Sequence, residues 1–299
     1  MATKRRYRIL SLWFSLGLGI SILAAGARAQ GGFKAAAESP KAPTQADMYC
    51  SGIVSDQAPP KDTYIISGED SRYRITYSQG DDIYINRGSE QGVRVGDLFE
   101  VVRAVKENVP TKWFEWQDTL SKAMGTTYAD IGRLRVVHVD SKTSTTEADV
   151  LCDAMQRGDI VRPFAVRPAP AFHDVKFDRY AAPSGKKTAM VVNTKNFGVI
   201  SGLGRIVYVN LGSGQGVQVG NYFRVFRYQG THSETLYQVR DMAYKVYGFG
   251  SAPVAYKWDN LPRQVLGEGI VLRTGANSST VLLTTAHQEI FDGDYVELE

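Results

Sequence analysis

The sequence predicts an all-β protein: two tandem small β-barrel-like domains from an internal duplication, with minor helix confined to inserts. Three observations predict this. Tyr84–Phe99 aligns without a gap on Tyr208–Phe223, and the shared letters are Tyr, Asn, three Gly, Ser, Gln, two Val and Phe. A second stretch, Ile131–Val161, lies without a gap on Leu266–Val296. Between and around them run short β-branched and aromatic segments separated by Gly, Asp and Ser. That is the pattern of many short strands in a closed or half-closed barrel.

The chain opens on a targeting signal. Lys4, Arg5, Arg6 and Arg8 precede an apolar run from Ile9 to Ala25, and Ala27-Arg28-Ala29 offers a small-x-small cleavage site. Residues 1–29 therefore read as a signal peptide with Gln30 as the new first residue; the alternative is an uncleaved anchor. The signal also carries the positive charge. The full chain has 35 Lys+Arg and 31 Asp+Glu, and five of the basic residues lie in 1–29, which leaves 30 against 31. A mature chain near neutrality has no electrostatic footprint for nucleic acid or anionic lipid.

Residues 30–48 are rich in Ala, Gly, Pro, Lys and Ser and read as a flexible leader. The first β domain is expected over 49–164. Its strands are predicted around Ile65, Ile75, Ile83, Leu98–Val102 and the alternating run Arg133–Val139, with a final Gly158-Asp159 turn into Ile160-Val161. A Pro-rich linker follows over 165–180. The second β domain, 181–299, repeats the order through Ala189–Val192, Val207–Val209, Phe223–Phe226 and Gly267–Leu272, and ends with Gly293-Asp294 before Tyr295-Val296. The repeated glycines Gly88, Gly92, Gly96, Gly212, Gly216 and Gly220 are expected at turns, through positive φ or close backbone approach. Gly212–Gly216 lacks the spacing and the following helix of a phosphate-cradling loop.

Each domain holds an unrepeated insert. Val105–Asp130 carries Trp113, Phe114 and Trp116, and the spacing predicts an amphipathic helix over Thr111–Met124. Tyr228–Val265 carries Tyr237, Tyr244, Tyr247, Tyr256 and Trp258, with a helical turn predicted over Met242–Tyr247. Unequal loops on a repeated scaffold are where binding concentrates, and these eight aromatics are the candidate binding residues. The competing reading makes them plugs for the ends of their own barrels.

Cys50 and Cys152 both lie in the first half, and their counterparts in the second are not Cys; His287 aligns with Cys152. In an exported chain two such thiols read as one disulfide, the alternative being two buried free thiols. The four histidines are scattered, with no zinc-binding spacing, so no metal, no cofactor and no catalytic residue are expected.

The form carried by Tyr84–Arg103 with Gly132–Val161, and again by Tyr208–Arg227 with Gly267–Val296, resembles the C-terminal β domain of the flagellar assembly protein T family. It is also similar to the tandem domains of bacterial envelope proteins that bear LysM modules. The resemblance implies a non-enzymatic periplasmic or outer-membrane-associated module of a bacterium with two membranes. The function expected is that of an exported cell-envelope scaffold or binding protein, engaging a protein assembly, peptidoglycan or glycan through its aromatic inserts. No nucleic acid partner and no membrane span after cleavage are expected. The alternative is a periplasmic glycan-active hydrolase using strand-borne carboxylates such as Asp81, Asp82 or Asp159.

Overall fold

The two gap-free stretches fold into the same circuit of strands. The computed structural model describes residues 39–70, 72–107, 112–174, 176–229 and 261–299. In chain order the first half contributes α1 (Gln45–Cys50), β1 (Ile53–Ser55), β2 (Ile65–Gly68), β3 (Thr76–Tyr77), β4 (Asp82–Ile85), β5 (Leu98–Val105), α2 (Gln117–Met124), β6 (Thr126–Val139), β7 (Ser144–Leu151), β8 (Met155–Gln156) and β9 (Ile160–Pro163). The second half contributes β10 (Thr188–Thr194), β11 (Ile200–Ser201), β12 (Ile206–Val209), β13 (Tyr222–Arg227), β14 (Gln264–Thr274), β15 (Ser279–Ala286), β16 (Ile290–Phe291) and β17 (Tyr295–Leu298). The second sheet is a closed barrel in the order β10-β12-β15-β14-β13-β17. The first follows the equivalent order β2-β4-β7-β6-β5-β9, with β1 added on β6. Its end strands meet through an isolated bridge, Tyr64 to Ile160, and through Ile65 N–H to Asp159 O at 3.0 Å. The small pairs β3–β8 and β11–β16 also correspond.

The interiors match at many positions, though Leu134 and Tyr77 of the first core stand against Gly269 and Ser201 in the second. Ile83, Ile85, Phe99, Val101 and Val136 fill the first core, and Val207, Val209, Phe223, Val225 and Val271 fill the second. Period-two alternation places these side chains inward on every strand. The repeated glycine turn explains its own letters. A Cβ on Gly88 would meet Asp140 O at 2.4 Å, and one on Gly212 would meet Gly275 O at 2.4 Å, so only glycine allows the turn to lie against the β6–β7 or β14–β15 hairpin. Gly92 and Gly216 end the turn at φ 80° and 91°, the left-handed region that glycine tolerates. The repeated glutamine closes it: Gly88 N–H donates to Gln91 Oε1 and Gly212 N–H to Gln215 Oε1, both at 2.8 Å.

The repeated Arg and Gly-Asp form a clamp. Arg103 grips Asp159 through Nε and a second guanidinium nitrogen, each at 2.7 Å, and Arg227 grips Asp294 in the same way at 2.6 Å. The same aspartates accept from the backbone of Gln156 and Phe291 at 2.8 Å, so each caps its turn while pairing its arginine. A neighbouring cross-strand pair is reversed in polarity. Glu100 faces Arg162 at 2.6 Å in the first sheet, whereas Arg224 faces Glu297 at 3.2 Å in the second. What that site requires is opposite charge across the ladder, in either order.

The outer faces of the two sheets differ. On barrel two, Val192, Ile206, Tyr208, Tyr222, Ile270, Leu272 and Leu282 point outward and are buried. They are covered by Met48 of α1, Val54 of β1, and Phe114 and Met124 of the first insert. The matching positions on the first sheet include Asp82, Arg135 and Glu147, and the last two are exposed. Polar contacts lock the seam. Asp130 accepts from Arg273 at 3.0 Å and from Gly52 N–H at 2.7 Å, and Tyr208 Oη–H donates to Ser51 O at 3.1 Å. Residues Ser39–Glu299 consequently form one compact unit.

Three expectations differ from this arrangement. The leader ends inside structure: Thr44 caps α1 through a capping box with Asp47, and Met48 is buried, so residues 45–48 belong to the seam. The Pro-rich linker is not a bare tether but packs along barrel two, with His173 N–H bonded to Tyr222 Oη at 3.0 Å and Val265 N–H to Arg179 O at 2.9 Å. The first insert's helix begins at Gln117, because burial of Phe114 and the bond from Trp113 N–H to Gln117 Oε1 (2.8 Å) turn the chain before it. The helical turn predicted over Met242–Tyr247 lies outside the described residues. Cys50 and Cys152 form a disulfide that fastens the end of α1 to the segment after β7. No helix among the described residues is long and apolar enough to cross a membrane.

Candidate functional site

The first insert divides its aromatics between packing and display. Phe114 is buried in the seam, and Trp113 packs partly buried against the same cluster. Trp116 sits at the N-cap of α2 and is 60% exposed. The structure therefore keeps one of these three candidates available at the surface. Tyr237, Tyr244, Tyr247, Tyr256 and Trp258 lie outside the described residues.

The helix that follows Trp116 borders a cleft of about 530 Å³ between the first insert and barrel two, whose lining does not include Trp116 itself. Gln117, Asp118 and Ser121 of α2 line one side, and Asn193 and Phe197 line the other. Gln117 ties the walls together. Its amide donates to Val192 O at 2.8 Å and to Asp292 Oδ2 at 3.2 Å. Asn193 adds a second tie, to Ser121 Oγ at 3.2 Å. Beneath Gln117, Asp292 is buried with its Oδ1 lacking a hydrogen-bond partner among the described residues. Burial, with Glu107 and Asp294 nearby, pushes its carboxyl up to about 8 against the opposing bond from Gln117. Burial thus favours the protonated form of Asp292 behind the cleft.

The barrel-two wall is strained. Asn196 and Phe197 adopt φ of 62° and 55°, a left-handed pair without glycine. For a bulky residue such as Phe this conformation survives only where the surroundings enforce it, and such residues cluster at binding and switch regions.

Two of the three carboxylates named for hydrolysis, Asp81 and Asp159, are otherwise engaged. Asp81 is held by both terminal nitrogens of Arg74 at 2.8 and 2.6 Å, which keeps its carboxyl below its ordinary range. Asp159 belongs to the arginine clamp, and Asp82 lies on β4 opposite Glu147. The six repeated glycines occupy the turns expected of them. His287 stacks on Phe177 of the linker with ring centroids 3.5 Å apart.

Sequence reasoning missed Gln117, Asn193, Phe197 and Asp292. One signal was present: Asp292 stands where the first copy has Arg157, an inversion of charge within an otherwise conserved turn. No family model matches the chain, and no curated protein matches it.

Proposed function

We propose that this protein is an exported, non-enzymatic cell-envelope binding protein, working in the periplasm or at the outer membrane. Its first insert presents a ligand platform, and the wall glycan is the ligand that platform suits best. The observation that carries this reading is Trp116: a large indole exposed at the start of a helix whose neighbours Phe114 and Gln117 are locked into barrel two. A rigid exposed aromatic offers a stacking face for a sugar ring, and the cleft beside α2, lined by Gln117, Ser121 and Asn193, offers groups able to hydrogen-bond the hydroxyls of a further sugar of the same chain.

Export is supported by the n-region, h-region and cleavage pattern of residues 1–29, and by the Cys50–Cys152 disulfide, which suits an oxidising compartment. The resemblance of the repeat to flagellar and LysM-associated envelope domains points the same way. A non-catalytic role is favoured by the ion pairing of Asp81 and Asp159.

The test is co-sedimentation of the mature chain, residues 30–299, with purified peptidoglycan sacculi. Wild type is expected to pellet with sacculi, and Trp116→Ala is expected to weaken the association about tenfold, matching the ~1–2 kcal/mol of an aromatic contact. Wild type that stays in the supernatant would remove the glycan reading. Capture of a defined envelope complex by the same chain, lost in Trp116→Ala, would transfer the platform to a protein ligand.

A further inference from the structure

A second cleft, of about 510 Å³, lies on the other side of the strained 195–197 loop, between α1 and barrel two. Its charges are unequal. Asp47 is the acidic group on its wall, and that carboxylate is already satisfied: it accepts from Lys41 Nζ at 2.8 Å, from Thr44 N–H at 2.8 Å and from Thr44 Oγ1 at 2.6 Å. Burial works to raise its carboxyl, but these donors outweigh it and hold the group low.

The two cations on the wall are not satisfied in this way. Lys195 is half-buried, and its ammonium donates to the carbonyl of Cys50 at 2.5 Å, a neutral acceptor. It makes no ion pair among the described residues. Burial pushes its pKa down, while Asp130, Asp153 and Asp47 act on it only as more distant charges. Arg205 is exposed at the rim, and its guanidinium likewise makes no ion pair among the described residues. Its backbone is fixed, with its N–H on Gly202 O at 3.0 Å and its carbonyl accepting from Leu283 N–H at 2.9 Å. Lys195, partly withdrawn from water without a counter-ion, carries a cost that a ligand oxyanion would recover, and Arg205 at the rim offers that oxyanion a second, charge-assisted donor.

We propose that this cleft is an anion-binding site, in which Lys195 and Arg205 together hold a carboxylate or phosphate group of a small acidic ligand or of the acidic end of a larger one. The two cations come from the two ends of the β10–β12 segment, and Asp47, the carboxylate on the wall, is paired with Lys41, which limits its opposition to a bound anion. The cleft volume admits a fragment-sized to small drug-sized group. The assignment is independent of the Trp116 platform, which lies across the loop.

Calorimetric titration of the mature chain at pH 7 and low salt, with two probes, tests it. One probe is inorganic phosphate. The other is a short peptide with a free C-terminal carboxylate, with its amidated form as control. The expected result is one site per chain for at least one probe, no binding of the amide, and affinity that falls as salt rises. Arg205→Gln should weaken binding at least tenfold, and Lys195→Met should abolish it. Phosphate alone binding would assign a phosphate ligand, and the peptide alone a carboxylate; both keep the site. Neither probe binding, or equal binding by wild type and Arg205→Gln, would overturn it. Thermal melting of each variant monitors folding. Because Arg205 is exposed, its variant decides the matter if loss of the Lys195–Cys50 bond unfolds the other.

Discussion

Replacing Phe114 by Ala separates packing from display within one insert. Phe114 is 1% exposed and sits among Met48, Val54, Met124, Ile206 and Leu282, where the first half covers barrel two. Truncating a fully buried Phe in such a cluster costs about 3–5 kcal/mol, from lost transfer energy plus the cavity left behind. That is a large share of the ~5–15 kcal/mol that holds a domain together. Trp116, two residues away and 60% exposed, should cost under ~0.5 kcal/mol when changed to Ala. Urea denaturation followed by far-UV circular dichroism measures both midpoints. Comparable losses for the two variants, or a larger loss for Trp116→Ala, would refute the division of roles. They would return Phe114 to the pool of ligand-facing aromatics.

Other consequences follow from the buried charges and the disulfide. Asp292 is raised to about 8 in the folded chain, so the native state holds a proton that the unfolded state releases. Stability should therefore fall as pH rises from about 4 to 8, by at most ~1.4 kcal/mol per unit, with Glu268, raised to about 7 chiefly by burial, adding to the slope. Asp292→Asn should flatten the profile and raise the melting temperature at pH 8; a profile parallel to wild type would exclude Asp292 as its source. Arg227→Met leaves Asp294 buried without its partner and should cost ~3–5 kcal/mol in chemical denaturation, against little change for a surface arginine such as Arg135. Converting both Cys50 and Cys152 to Ser opens a 102-residue separation and should lower stability by about 4–5 kcal/mol in the chain-entropy model. It should also raise amide exchange in α1.

The strands were legible along the chain because the duplication repeats many inward positions: Ile83 with Val207, Val101 with Val225, Val136 with Val271. The clamp was half legible. Arg103 and Arg227 matched, as did Asp159 and Asp294, but nothing local linked an arginine on β5 to an aspartate 56 residues on. The seam was not read. Its signal was a set of mismatches, since Asp82, Arg135 and Glu147 in the first copy stand against Ile206, Ile270 and Leu282 in the second. An outward strand position that turns apolar in one copy alone marks a neighbour covering that copy. Gln117 and Asp292 lie 175 residues apart, and no periodicity joins them. Trp113, Phe114 and Trp116 fall within four residues, too close for spacing to say which of them faces the core.

The asymmetry between the copies bears on where a ligand can bind. Barrel two reads as a complete barrel, yet part of its outer face is apolar and is covered by α1, β1 and the first insert. The first insert is thus committed twice: its buried side closes barrel two, and its polar side, through Gln117, Asp118 and Ser121, borders a cleft. Gln117 belongs to both sides, since one amide reaches the barrel backbone at Val192 and the buried acid at Asp292 while lining that cleft. A ligand that pulled on Gln117 would disturb the seam as well as the cleft. Binding that reaches Gln117 should therefore change hydrogen exchange at the Val192 and Asn193 amides. A purely peripheral contact at the indole would leave those amides unchanged.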